Sequence, residues 1–188
     1  MPVTDILYEE HRVIERVLAA LEAAAEQLER GGAVRPGFFL EAADFVAGFA
    51  DGCHHRKEEG VLFGAMIEHG APAHGGAIDM MLEEHDEGRR FNRGMRDGAH
   101  DLAGGDLTAR AKVVSNAKAY VALLRDHIAK ENEMLFPMAE ELIPPDATDA
   151  LLAAFTRVEH ADGGNAHARY LAMADRLEKE ALTAHAPG

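Results

Sequence analysis

The sequence predicts an all-α protein, an up-down-up-down four-helix bundle with an additional C-terminal helix. Three observations predict it. Alanine, leucine, glutamate and arginine are abundant while aromatic residues make up 6% of the chain, a composition that favours helix over strand. Glycine and proline fall in clusters that cut the chain into a few long stretches. A pattern of histidine and glutamate at helical spacing occurs in both halves.

The first helix starts near Thr4, a candidate N-cap followed by Asp5. It turns Ile6, Leu7, Ile14, Val17, Leu18, Leu21 and Leu28 inward and stops at Gly31-Gly32. Pro36 suits a first helical position, so the second helix runs to about Gly70 with Phe38, Phe45, Val46, Phe49, Leu62, Phe63 and Met66 inside. Residues 71–76 form a loop, the third helix covers 77–102, Gly104-Gly105 breaks the chain, and the fourth covers 107–142. Pro144-Pro145 forces a bend before a fifth helix over 146–181, weakened at Gly163-Gly164. The expected organisation is therefore a bundle over residues 1–143 with the fifth helix, within 144–188, packed on or near it.

A net charge of −14 argues against nucleic acid or an anionic membrane as partner, because both demand a positive face. The single cysteine, Cys53, excludes an intrachain disulfide, and the N-terminal residues show no secretory pattern. No apolar run reaches the ~20 residues that span a bilayer. A cytoplasmic protein is the expectation.

The repeat carries the chemistry. His54-x-x-x-Glu58-x-x-x-Leu62-Phe63 recurs as His127-x-x-x-Glu131-x-x-x-Leu135-Phe136, and Glu9-Glu10-His11 recurs as Glu83-Glu84-His85. The offsets are 85 − 11 = 74, 127 − 54 = 73 and 131 − 58 = 73. Residues four apart stack on one helix face, so each His-Glu pair is a two-ligand clip. Counting from the predicted turns at ~1.5 Å per residue puts His11 level with His54, and His85 level with His127. Six residues then converge: His11, His54, Glu58, His85, His127 and Glu131. Imidazole with carboxylate suits iron, manganese or zinc better than calcium or magnesium, and two carboxylates that each bridge describe a dinuclear site.

His55 and Glu59 are also four apart. On a regular helix His54 shares its face with Val46, Ala50 and Leu62, whereas His55 shares its face with Asp51 and Glu59, so His54 and Glu58 are the expected ligands. Glu15, His69, His74, His100 and His185 read as surface residues, and Cys53 as a packed thiol.

These motifs resemble the hemerythrin-like family of HHE cation-binding proteins, over about residues 5–142. The resemblance implies a four-helix bundle around a non-heme pair of irons, oxo- or hydroxo-bridged, held by the six residues named, with zinc or manganese as possible substitutes. It also implies chemistry with a small oxidant, O₂, NO or peroxide, whether by binding, sensing or turnover. One departure stands out: oxygen-carrying hemerythrins have a second histidine one turn along the third helix, where this chain has Met81 and Arg89 around His85. That argues against simple reversible oxygen carriage. Glu159, His160 and His167 cluster in the fifth helix, and His167 is the candidate seventh ligand. Tyr8 and Tyr120 fall near the expected metals.

Catalytic turnover, sensing through a homodimer or a separate signalling or redox partner, and iron storage or delivery all remain open at this level. Storage is the weaker reading, since ferritin-like bundles use Glu-x-x-His pairs and this chain has none.

Overall fold

The computed structural model describes residues 3–161 and 166–184, and over these the protein is an all-helical bundle without strands. Helix α1 spans Thr4–Glu29; α2 spans Pro36–Phe45 and continues through π-helical stretches at Val46–His55 and Glu58–Leu62 into α3, Phe63–Glu68. After a loop come α4 (Ala77–Ala103) and α5 (Arg110–Lys130), the latter running through a π turn at Glu131–Leu135 into α6 (Phe136–Leu142). Helices α7 (Thr148–His160) and α8 (Ala166–Ala184) follow.

The turns fall where glycine allows them. Gly31 and Gly105 close α1 and α4 with φ of 84° and 98°, a backbone region costly for any residue with a Cβ. Thr4 is the first residue of α1 rather than its cap, and its hydroxyl donates to Glu140 at 2.5 Å.

Contacts fix the sense of each packed pair. Glu22 meets Arg125 and Glu29 meets Lys118, so position falls along α5 as it rises along α1 and the two are antiparallel; His11 with Asn132, just beyond α5, follows the same trend. Asp44 with Arg96 and Asp51 with Arg89 do the same for the second run and α4. His85 with His127 does it for α4 and α5, as does the approach of Gly98 to Val113.

Two apolar clusters fill the interior. One joins Ile14 to Leu28, Phe38 to Ala50, Met95 to Leu102 and Val113 to Ile128; the other joins Leu7, Leu62, Phe63, Met81, Leu135 and Phe136. On every run the histidines and glutamates of the repeat fall at the boundary of these clusters. A buried polar layer thus crosses the core between two dry blocks.

The single fifth helix expected over 146–181 is described as two helices that pack on different blocks. Phe155 of α7 joins the cluster around Phe136, while Ala174, Leu177 and Ala181 of α8 join the other. Gly163-Gly164 and His185 lie outside the described residues. Helix α8 comes close because Gly48 has no side chain: a Cβ there would stand 1.7 Å from the Tyr170 hydroxyl. Among the described residues no helix is long and apolar enough to cross a membrane.

Candidate metal centre

His11 from α1, His54 and Glu58 from the second run, His85 from α4, and His127 and Glu131 from the last run are all buried in the polar layer. They fall into two groups that could each hold an ion: His11, His54, Glu58 and Glu131, and beside it His55, Glu58, His85 and His127.

The carboxylates tie the groups together. Glu58 Oε1 lies 3.4 Å from His54 Nε2 and its Oε2 lies 3.6 Å from His85 Nε2. Glu131 Oε2 lies 3.1 Å from His11 Nε2 and its Oε1 lies 3.2 Å from His127 Nε2. The imidazole nitrogens themselves converge, His11 on His54 at 2.9 Å and His85 on His127 at 3.1 Å. Donor atoms bound at ~2.1 Å and at right angles around one ion stand ~3 Å apart, so these separations suit donors gathered around a shared cation. All four carboxylate oxygens are buried without a hydrogen-bond donor. Such groups in a dry interior are costly unless a cation meets them.

Burial, and then the charge of Glu131, pushes the Glu58 carboxyl well above its ordinary range. Burial acts on Glu131 in the same sense but is outweighed by His127 and His11, which hold it well below. Two carboxylates in one dry layer cannot both stay charged without a positive centre between them.

The hemerythrin HHE cation binding domain matches this sequence over residues 3–139. The chain belongs to that family. No curated protein and no solved structure matches it.

The HHE layer includes a residue that regular helical geometry assigns to the outside. His55 is 5% exposed, belongs to the second group, and stacks on His85 with ring centroids 3.8 Å apart. The reason is the π-helical stretch Val46–His55. Its i→i+5 bonding packs more residues into each turn, so His54 and His55 are separated by a smaller angle and both face inward. Gly52 permits the wide turn, because a Cβ there would come within 3.0 Å of the Ala47 carbonyl. The paired histidines of Cys53-His54-His55 were the available signal, and the assumption of a regular turn concealed it.

A second set of residues aims the first. Nδ1 of His54 donates to Glu10 at 3.1 Å and Nδ1 of His127 donates to Glu84 at 2.9 Å. Nδ1 of His85 donates to Glu59 at 2.7 Å and Nδ1 of His11 donates to Asn132 at 2.8 Å. In each case Nε2 is left facing the centre, and a carboxylate partner raises the basicity of the ring. These partners occupy repeat-related positions, 10 with 84 and 59 with 132, so the Glu-Glu-His motif already contained two of them. Lys57 and Lys130 close the chains by donating to Glu10 and Glu84.

His167 lies apart from both groups. It packs on Phe49 with centroids 5.4 Å apart and shares a third group with Glu10 and Cys53. His160 is exposed and donates to its own helix at Thr156. Glu15 stands at the surface 3.7 Å from Arg125, and His69, His74 and His100 are exposed. The Tyr8 hydroxyl donates to the Asn132 carbonyl at 3.2 Å, one residue beyond Glu131. Tyr120 is fully buried, its hydroxyl without a partner, and with His55, His85 and Asn92 it lines a cavity of about 220 Å³. A larger pocket of about 1140 Å³ reaches the other side of the layer at His11, between Tyr8, Asn132, Glu159 and His167.

Proposed function

We propose that the protein is an up-down-up-down bundle whose polar layer holds two iron ions, and that a small oxidant, O₂, NO or peroxide, binds or reacts there. What supports this most is the placement of Glu58 and Glu131: each has one oxygen toward each histidine group, and none of the four oxygens has any other partner. The donor set fits the metal implied by the family, since imidazole and carboxylate together suit iron, with manganese or zinc as substitutes.

His11 and His54 would hold one ion and His55, His85 and His127 the other, with Glu58 and Glu131 between the two groups. The two-histidine side has one imidazole fewer, and it faces the pocket at His11. When bound, iron would supply a Lewis-acidic centre for a diatomic molecule or peroxide. The chain's own part is to hold Nε2 of each imidazole toward the centre through its Nδ1 partner, and to keep water scarce with Phe63, Leu62 and Phe136 above and Ile14 and Leu124 below. His167 borders the access pocket in this reading and is not a ligand of the pair.

Metal analysis of purified protein tests it. Two transition-metal ions per chain are expected, predominantly iron, and Glu58→Ala should lose at least one while Glu15→Ala loses none. A wild-type chain without transition metal, or a Glu58→Ala variant that keeps both ions, overturns the reading. NO titration of the reduced protein, read by absorption, then tests the small oxidant; no spectral change overturns that part.

A further inference from the structure

The third group of ligand-type side chains belongs to neither ion. Glu10, Cys53 and His167 each offer a donor atom, all within 4.8 Å of one another, and come from three separate runs of the chain. Glu10 is buried, and Nδ1 of His167 is buried without a hydrogen-bond partner, although a ring nitrogen in that position ordinarily finds one. Glu10 and His167 line the pocket of about 1140 Å³ that also reaches His11. Its wall carries Asp5, Glu9, Glu10, Glu15 and Glu159 against one arginine, Arg12. A cleft lined by one sign of charge concentrates ions of the other sign and speeds their arrival.

We propose that Glu10, Cys53 and His167 form a third, transient site for a divalent transition-metal ion on its way to His11 and His54. This rests on the reading of the polar layer as a transition-metal pair. Thiol, imidazole and carboxylate together select zinc, cobalt or ferrous ion over calcium and magnesium. Position supports a loading role: Glu10 touches the site on one side and accepts from His54 on the other, so an ion held here is one carboxylate away from its destination. Transience has a visible cause in Lys57. Its ammonium lies 2.5 Å from Glu10 Oε1 and 2.5 Å from Glu159 Oε1, where it competes with any cation for the same oxygen. An arriving ion takes Glu10 Oε1 while Lys57 keeps Glu159; Cys53 gives up its thiol proton to solvent as it binds, and the ammonium drives the ion onward.

Cobalt(II) titration of the metal-free full-length chain, followed in the near ultraviolet where a thiolate bound to cobalt absorbs, tests the site. The expected course in wild type is a thiolate band that rises and then decays as two ions settle in the layer. Cys53→Ser should abolish the band and slow loading of the pair about tenfold or more, with the final count of two ions unchanged. His167→Ala should slow loading in the same way, and Lys57→Met should hold a third ion with a persistent band. Two ions bound without any thiolate band in wild type and in Lys57→Met overturns the third site while leaving the pair intact. No cobalt bound at all overturns both.

Discussion

Of the aligned positions at which the two halves of the repeat differ, one sets the character of the centre. Residue 55 aligns with residue 128, 73 positions on: the first half has a histidine there and the second has Ile128, which is buried in apolar packing. In the first half the run widens into π geometry before the clip, whereas α5 stays a regular helix up to Lys130. The same register therefore brings an imidazole into the layer in one half and a methyl surface into the core in the other. The outer partners differ as well, since His85 is aimed by the charged Glu59 and His11 by the neutral Asn132. A duplicated frame has become an asymmetric centre, three histidines on one side and two on the other, through local helix geometry rather than a new ligand-bearing segment.

Removing the extra imidazole is the strongest way to break that asymmetry. His55→Ala should reduce the ion count from two to one, whereas Ile128→Ala should keep both; equal counts in the two variants by metal analysis would mean the halves are equivalent.

The lysines give the next largest contrast. Lys57 is 0% exposed between Glu10 and Glu159, while Lys130 is 36% exposed beside Glu84. Truncating a buried partner strands charge, so Lys57→Met should cost about 3–5 kcal/mol in urea unfolding of the metal-free protein. Lys130→Met, at a solvated pair, should cost about 0–1 kcal/mol.

Acid sharpens the comparison further. Burial first, and the neighbouring His11 next, lower the pKa of His54 to about 4. A depressed folded-state value means that the stabilisation from neutral His54 is fully present above the ordinary pKa of about 6.5 and lost as pH falls toward 4. Metal-free protein should lose on the order of 3 kcal/mol across that window, and His54→Gln should flatten the fall. A wild-type profile level from pH 7 to 4 would contradict it.

How far the sequence alone reaches can be judged residue by residue. His54 and Glu58 were legible because their helix face is otherwise apolar, and the matched heights of His11 with His54 and of His85 with His127 followed from counting residues to glycine turns. His55 was hidden because a face assignment assumes a constant angle per residue, which a π stretch violates without a clear mark in composition. The position of His167 depends on where α8 docks, and that is set by the missing side chain of Gly48 beneath Tyr170, a contact between residues far apart in sequence. Glu10 and Glu84 were visible as repeated letters, but their role as orienting acceptors needed distances.

The layer's candidate ligands come from every long run, and the two-histidine group alone extends from His11 to Glu131, 131 − 11 = 120 residues. A nascent chain therefore has no complete binding group until nearly all of the bundle has been made and has come together. Capture of a cation by this layer would then be the closing act of maturation, and a prematurely terminated product should emerge empty.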